Sequence, residues 1–168
     1  MNIRKSTTED VPRIMTIFAA AKEYMASHGN GTQWGDGYPN EETLMADIAA
    51  GNSYVIESDG TIVGTFSFIV GEEPTYRLIK NGEWTADRAY GTIHRLAADG
   101  TAKGIAKACF EYCAKRTDYI RVDTHENNAS MRAAIEKFGF RKCGNIYVRG
   151  GAERTAYDYL SGGENASN

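Results

Sequence analysis

Apolar residues recur at helical spacing in the first third of the chain. The first set predicts a long helix with one buried face: Val11, Ile14, Met15, Phe18 and Met25. Thr7 or Thr8 is placed to cap this helix, and His28-Gly29 is placed to end it. Leu44, Met45 and Ile48 predict a second, shorter helix that begins at Pro39 or Asn40 and stops at Gly51.

The rest of the chain alternates between extended and helical patterns. The predicted strands cover residues 3–5, 53–57, 61–70, 90–97, 119–124, 141–148 and 154–160, and further helices cover about 105–116 and 128–138. Asp59-Gly60 predicts a tight hairpin turn. This order predicts an α/β chain built on one mixed sheet, in which the strands at 90–97 and 119–124 run parallel across their helix.

Composition narrows the class of protein. The chain has 168 residues, 42% of them hydrophobic and 24% charged, which fits one domain over residues 1–160 and a disordered tail at 161–168. The net charge of −3 argues against nucleic-acid and membrane-surface partners. The N-terminus lacks an apolar signal core, so we expect a cytoplasmic protein. Three cysteines without a paired framework predict buried free thiols, and no metal site is expected.

The most informative segment runs from His94 to Cys109, where a strand enters a loop of small residues that opens a helix. Backbone N–H groups at a helix start are unpaired and carry the positive end of the dipole. Small residues at Ala102, Gly104 and Ala106 would let a phosphate approach the backbone. An ordinary tight connection between strand and helix is the alternative interpretation.

A second segment runs from Val122 to Met131 and closes on Gly139-Phe140. Together the two segments resemble the coenzyme-binding motifs of the GNAT acetyltransferase superfamily, although Thr101 replaces the usual Gln or Arg. The resemblance implies the GNAT acyl-CoA N-acyltransferase fold, a twisted mixed sheet of about six to seven strands flanked by about four helices. It implies acetyl-CoA as co-substrate. The implied coenzyme-binding residues are Leu96, Ala97, Ala98, Thr101, Ala102, Lys103, Gly104, Ile105, Ala106, Lys107, Asn128 and Ser130. Asn128 also suits a plain helix cap.

The resemblance implies two catalytic groups on one strand. Leu96, at a strand bulge, would donate its N–H to the thioester oxygen, and His94 would take the proton of the amine. Strand alternation places the two side chains on one face unless the bulge alters it. A structural role for His94 is equally well supported. Many family members carry a Tyr that protonates the departing thiolate, but this chain has Ile135 at that position.

Aromatic residues on loops suggest an acceptor pocket, for which we name Trp34, Tyr38, Trp84 and Tyr90. The alternative is that at least one of the tryptophans only anchors its loop to the core. The sequence therefore predicts transfer of acetyl from acetyl-CoA to a primary amine, carried by a small molecule or a peptide, in a ternary complex. The alternative function is a coenzyme-binding or regulatory protein with little or no turnover. The sequence allows a homodimer but does not predict the oligomeric state.

Overall fold

A computed structural model describes residues 1–35 and 37–161. Its helices are α1 (Val11–Ser27), α2 (Glu41–Ala49), α3 (Ile105–Ala114) and α4 (Ala129–Phe138). Its strands are β1 (Asn2–Lys5), β2 (Ser53–Ser58), β3 (Thr61–Val70), β4 (Gly91–Ala98), β5 (Tyr119–Thr124), β6 (Arg141–Tyr147) and β7 (Glu153–Leu160). The predicted order of elements is therefore confirmed. The predicted disordered tail, apart from Ser161, lies outside the described residues.

The chain forms two compact units. The first contains Met1–Phe68 and His94–Cys109, and the second contains Ile69–Ile93 and the chain from Phe110 onward. Strand β4 thus contributes its C-terminal part to the first unit and its N-terminal part to the second. The prediction of one functional domain over residues 1–160 stays a prediction.

The strands of the first unit are antiparallel from β1 to β3 and follow the order β1-β2-β3-β4. The β2–β3 hairpin turns at Asp59 and Gly60, whose φ angles are 51° and 79°. Two positive φ angles are what a tight hairpin turn requires, which is why Asp-Gly is favoured there. After β4, the Asp99 N–H donates to the Val63 carbonyl at 3.1 Å. This bond holds the end of β4 against β3.

Helix α1 supplies most of the core of the first unit. Its buried stripe is Val11, Ile14, Ile17, Phe18 and Ala21, packed with Trp34, Leu44, Val55 and Ala97. The predicted helix start is displaced, because one 3-10 turn at Thr8–Asp10 precedes α1 and takes the Thr7 capping box. Asp10 accepts from the Thr7 N–H at 2.7 Å and from the Arg4 guanidinium at 2.8 Å. The Arg4 bond outweighs partial burial and lowers the pKa of Asp10.

In the second unit the strand order is β4-β5-β7-β6. Strand β4 pairs with β5 in parallel through Gly91↔Ile120 and Thr92↔Arg121, as the crossover predicted. Strand β7 is antiparallel to both β5 and β6. The sheet is therefore mixed, in agreement with the predicted fold class.

The long β3–β4 connection is pinned to β6 by backbone contact. Lys80 and Asn145 exchange backbone hydrogen bonds of 2.9 and 2.8 Å. A Cβ on Gly82 would lie 1.8 Å from the Cys143 carbonyl oxygen, and one on Gly144 would lie 2.5 Å from the Lys80 oxygen. Only glycine permits this approach at either position. The contact fixes a segment that contributes Trp84 to the cavity described below.

The three cysteines are buried and form no disulfide bond with one another, as predicted. Within residues 1–35 and 37–161, no group of three or more His, Cys, Asp and Glu side chains is arranged to hold a metal ion. In the same residues, no helix is long and apolar enough to cross a membrane.

Candidate active site

Strand β4 carries a backbone irregularity at Arg95, whose φ is +54°. A non-glycine residue rarely adopts this conformation, and it interrupts strand alternation. The irregularity lies one residue before Leu96, where the bulge was predicted, and is called the bulge at Arg95 below. Because it lies between His94 and Leu96, simple alternation no longer assigns their side chains to one face. Both residues are half-buried.

The Arg95 side chain holds this irregular turn in place. Its Nε and Nη2 atoms each donate to a different carboxylate oxygen of Asp47 on α2, both at 2.9 Å. Its Nη1 donates to the Tyr38 hydroxyl at 3.0 Å, and Ser67 donates to Asp47 at 2.7 Å. Although burial works against the charge, Tyr38 and Asp47 raise the pKa of Arg95 above its usual value. The bulge is thus tied to α2 and to the loop before α2.

The loop after β4 is shaped by Asp99. Its Oδ1 accepts from the Thr101 N–H at 2.9 Å and from the Thr101 hydroxyl at 2.6 Å, and its Oδ2 accepts from Arg13. Partial burial opposes ionisation, but the bonds from Thr101 and Arg13 lower the pKa of Asp99. Thr101, where the family usually has Gln or Arg, is therefore engaged within the loop.

Helix α3 opens directly from this loop at Gly104, whose φ is +79°. The Gly104 carbonyl accepts the first helical bond, from Ala108 at 3.0 Å. Nothing lies within 4 Å of a Cβ built on Gly104, so the space beside the helix start is open. Lys103 and Lys107 are both exposed there. The arrangement offers free N–H groups and positive charge to an anion.

Close packing brings α3 to this position. A Cβ on Gly64 of β3 would lie 2.8 Å from Ile105 Cγ2 and 3.2 Å from the Ala97 oxygen. Ile105 is the first residue of α3 and is 6% exposed. Glycine at position 64 is therefore needed for α3 to start where it does.

Trp34 and Tyr38 lie in different environments. Trp34 is 8% exposed and packs edge-on against Phe18 at 5.8 Å between ring centroids. It belongs to the core of the first unit, which favours the anchoring interpretation. Tyr38 is 38% exposed, and its hydroxyl accepts from Arg95. Of these two predicted acceptor residues, Tyr38 is the one open to a ligand.

The other two predicted acceptor residues line a cavity of about 400 Å³ in the second unit. Its lining residues are Glu72, Tyr76, Arg77, Trp84, Thr85, Ala86, Asp87, Tyr90 and Arg121. Arg121, on β5, is 6% exposed, and its guanidinium carbon lies 4.3 Å from the Trp84 ring and 4.1 Å from the Tyr90 ring. The sequence prediction missed Arg121. A charged residue between apolar positions of a buried strand was the available signal.

A network of buried hydrogen bonds holds the residues around this cavity in place. Asp158 is 2% exposed and accepts from the Thr85 N–H, the Thr85 hydroxyl and the Tyr119 hydroxyl, each at 2.7 Å. Burial first, and then Asp158, raises the pKa of Tyr119 to about 12. Tyr76 is also buried and donates to Asp123 at 2.6 Å. These hydroxyls fix the walls of the cavity.

The comparisons with known proteins identify the family. The model of the acetyltransferase (GNAT) domain matches residues 1–141. The chain belongs to the GNAT acetyltransferase family. A GNAT-family acetyltransferase from Streptococcus agalactiae is 30% identical, with a TM-score of 0.88 over 95% of this chain and 94% of that one. A putative acetyltransferase from Staphylococcus aureus is 26% identical, with a TM-score of 0.69 over 95% and 99%.

A third structure shares the fold at 18% identity: a putative Salmonella typhimurium acetyltransferase solved with its cofactor acetyl-CoA, with a TM-score of 0.63 over 95% of this chain and 93% of that one. No curated protein sequence matches the chain. The predicted family and fold are therefore confirmed.

The second GNAT motif forms the start of α4 in the second unit. Asn128 caps the helix by accepting from the Met131 N–H at 3.2 Å, and Ser130 is exposed in the first turn. The capping interpretation of Asn128 is confirmed, while its coenzyme contact and that of Ser130 stay predictions. Ile135, at the position of the usual GNAT tyrosine, is 1% exposed and carries no proton to donate.

His125 follows β5 in this GNAT chain. Its Nδ1 accepts from the Asn127 N–H at 3.0 Å, so the ring also shapes the turn that leads to Asn128. Burial first, and then the charge of Arg154, lowers the pKa of His125. The charged form of the ring is therefore disfavoured.

Proposed function

We propose that this GNAT protein transfers the acetyl group of acetyl-CoA to a primary amine by direct attack in a ternary complex. The observation that carries the proposal is the path of β4, which runs through the bulge at Arg95 into the loop that opens α3 at Gly104. The proposal includes one acetyltransferase domain over residues 1–160, acting in the cytoplasm.

The coenzyme side of the proposal uses the helix start. The pyrophosphate would accept from the backbone N–H groups that follow Gly104, and the exposed Lys103 and Lys107 would add positive charge. The Salmonella protein, which has the same fold, was solved with acetyl-CoA. In our proposal, Leu96, Ala97 and Ala98 bind the pantetheine and acetyl end.

The reaction forms one bond and breaks one. The amine nitrogen attacks the thioester carbon, the carbon–sulfur bond breaks, and the amine proton passes to His94 or to water. The Leu96 N–H would stabilise the negative charge on the thioester oxygen. Because Ile135 supplies no proton, the released thiolate takes its proton from solvent or from another group.

The helix start is tested by adding a methyl group to Gly104. A Cβ there meets no protein atom, so Gly104→Ala costs only the strain of a positive φ unless a pyrophosphate occupies the space. Gly29→Ala is the matched control, because Gly29 has a φ of +78° and the same open surroundings.

We expect both variants to lower the melting temperature alike, and only Gly104→Ala to weaken acetyl-CoA binding, by roughly tenfold or more. Calorimetric titration with acetyl-CoA measures this. Equal coenzyme affinity in the two variants would place the pyrophosphate elsewhere.

Turnover separates the enzyme from a coenzyme-binding protein, the alternative that the buried Ile135 favours. Wild type is assayed with acetyl-CoA and an amine panel, beside His94→Gln. Removal of a general base lowers rates by roughly 10²–10⁴-fold, so His94→Gln should lower kcat/KM by at least the low end of that range. Tight coenzyme binding without acetylation of any amine would support the alternative.

A further inference from the structure

Arg121 is a buried cation to which no carboxylate among the described residues bonds directly. Its link to an acid is indirect, because the Tyr119 hydroxyl that accepts from Arg121 donates in turn to the buried Asp158. The Arg121 Nε donates to the Tyr119 hydroxyl at 3.2 Å, and its Nη2 donates to the Ala86 carbonyl at 2.7 Å. In the part of the chain that the structure describes, Nη1 makes no hydrogen bond and no acidic side chain lies within ion-pair distance of the guanidinium. A buried charge is costly to leave without a counter-charge.

Three aromatic rings surround the Arg121 guanidinium. The rings of Trp84, Tyr90 and Tyr119 lie 4.3, 4.1 and 5.2 Å from the guanidinium carbon. Ring faces attract a cation but leave its positive charge in place. The guanidinium is therefore preorganised and still able to bind an anion.

The cavity that Arg121 borders has room for a small ligand. Its volume of about 400 Å³ falls within the usual range of small-molecule pockets. Asp87 also lines it, and its exposed carboxylate forms no ion pair among the described residues. A ligand that carries both a carboxylate and an ammonium group matches this pair of charges.

We propose that the Arg121 cavity binds the carboxylate of a small molecule that also carries an ammonium group, such as an amino acid. Guanidinium and carboxylate form short, charge-assisted hydrogen bonds.

The first test compares ligands that differ only in the carboxylate. The probes are the amino acids L-phenylalanine, L-methionine and L-lysine, each paired with the amine left when its α-carboxylate is removed. Binding is measured by ligand-detected NMR and titration calorimetry on the full chain without coenzyme. For at least one pair we expect the acid to bind tenfold or more tightly than its amine.

The second test removes the charge. Arg121→Met should abolish the preference for the acid, while acetyl-CoA still binds as in wild type. Arg88→Met is the matched control, since it removes an arginine of the same unit whose partner, Asp118, is exposed. If Arg121→Met fails to fold, Ala86→Val narrows the cavity without removing the guanidinium and should weaken binding of the acid at least tenfold.

The outcomes separate this inference from the proposed function. Equal binding of acid and amine in every pair, or a preference that persists in Arg121→Met, would overturn the carboxylate site. A preference for the acid that is lost in Arg121→Met would support the carboxylate site, whether or not any probe is acetylated.

Discussion

Each unit of this GNAT protein contains a buried or nearly buried arginine in a different setting. In the first unit, both carboxylate oxygens of Asp47 accept from Arg95 at 2.9 Å. In the second, Arg121 has aromatic faces and two neutral acceptors, and it borders a cavity. The same side chain is therefore bonded directly to a carboxylate in one unit, whereas in the other the link to a described carboxylate, Asp158, runs through the Tyr119 hydroxyl.

The difference indicates what each arginine can do. Arg95 donates its hydrogen bonds to Asp47 and Tyr38, so it positions the bulge of β4 and the loop before α2 and has few donors available for a ligand. Arg121 keeps a free donor beside open space. Burial alone does not mark a functional cation, and the absence of a directly bonded counter-charge is the more informative feature.

The largest effect on stability is expected when Arg95 loses its bonded carboxylate and so resembles Arg121. Asp47→Ala removes the carboxylate partner of Arg95, whose side chain is only 13% exposed. Removal of one member of a buried ion pair costs about 3–5 kcal/mol in the free energy of unfolding. Urea denaturation should show this loss in the free energy of unfolding. Glu72→Ala is the control, because the Arg77–Glu72 pair is exposed to solvent and its removal should cost far less free energy of unfolding. Similar losses in the two variants would mean that the Arg95 pair is not special.

The next largest effect concerns Asp158, the buried acid behind the Arg121 cavity. In Asp158→Asn the amide replaces one acceptor oxygen while Thr85 and Tyr119 still present donors, so we expect a loss of about 2–3 kcal/mol. The pKa of Tyr119, about 12 in wild type, should fall because the nearby negative charge is gone. NMR titration of carbon-13-labelled tyrosine measures that pKa.

The raised pKa of Tyr119 also determines whether the protein gains or loses stability as the pH rises. Between the usual tyrosine pKa of about 10 and the folded value of about 12, the unfolded chain has lost the Tyr119 proton and the folded chain has kept it. The stability contributed by Tyr119 is therefore present below pH 10 and lost as pH rises through 12. A weaker alkaline loss in Asp158→Asn would agree with this account, and an unchanged pH profile would contradict it.

The fold could be predicted from the sequence because its signals are local. The stripe of α1, the Asp59-Gly60 turn and the Asn128 cap each depend on residues within a few positions of one another, and the structure has all three. The GNAT motifs between 92 and 140 are similarly local. Errors were confined to the boundaries, as at the 3-10 turn before α1.

The site could be predicted only in part, because its remaining features depend on residues far apart in the chain. Arg95 meets Asp47 across 48 positions, and Arg121 meets the Ala86 carbonyl across 35. Trp34 and Trp84 both looked like loop aromatics in the sequence, but one is core and the other lines a cavity. No spacing rule separates these environments.

A smaller effect is expected from Gly64→Ala, which acts on the first unit without touching a charge. Its Cβ would meet Ile105 Cγ2 at 2.8 Å, so the start of α3 must shift, at a cost of about 1–2 kcal/mol. Because the helix start is the proposed pyrophosphate site, acetyl-CoA affinity should fall as well. The control is Gly31→Ala, whose Cβ makes ordinary contacts at 3.7 and 3.8 Å. Wild-type affinity in Gly64→Ala would separate the position of α3 from coenzyme binding.

The smallest effect on stability is expected when Arg121 itself is replaced. Arg121→Met removes two hydrogen bonds and the contacts of the guanidinium with Trp84 and Tyr90, and these losses are destabilising. It also removes a charge whose burial costs several kcal/mol without a directly bonded counter-ion. Since the two contributions oppose each other, the free energy of unfolding should change by less than about 1 kcal/mol. Arg95→Met should cost more, because it strands the Asp47 carboxylate. Urea denaturation of both variants measures the difference: a loss for Arg121→Met as large as for Arg95→Met would show that the Arg121 guanidinium stabilises the fold as strongly as an arginine bonded to a carboxylate.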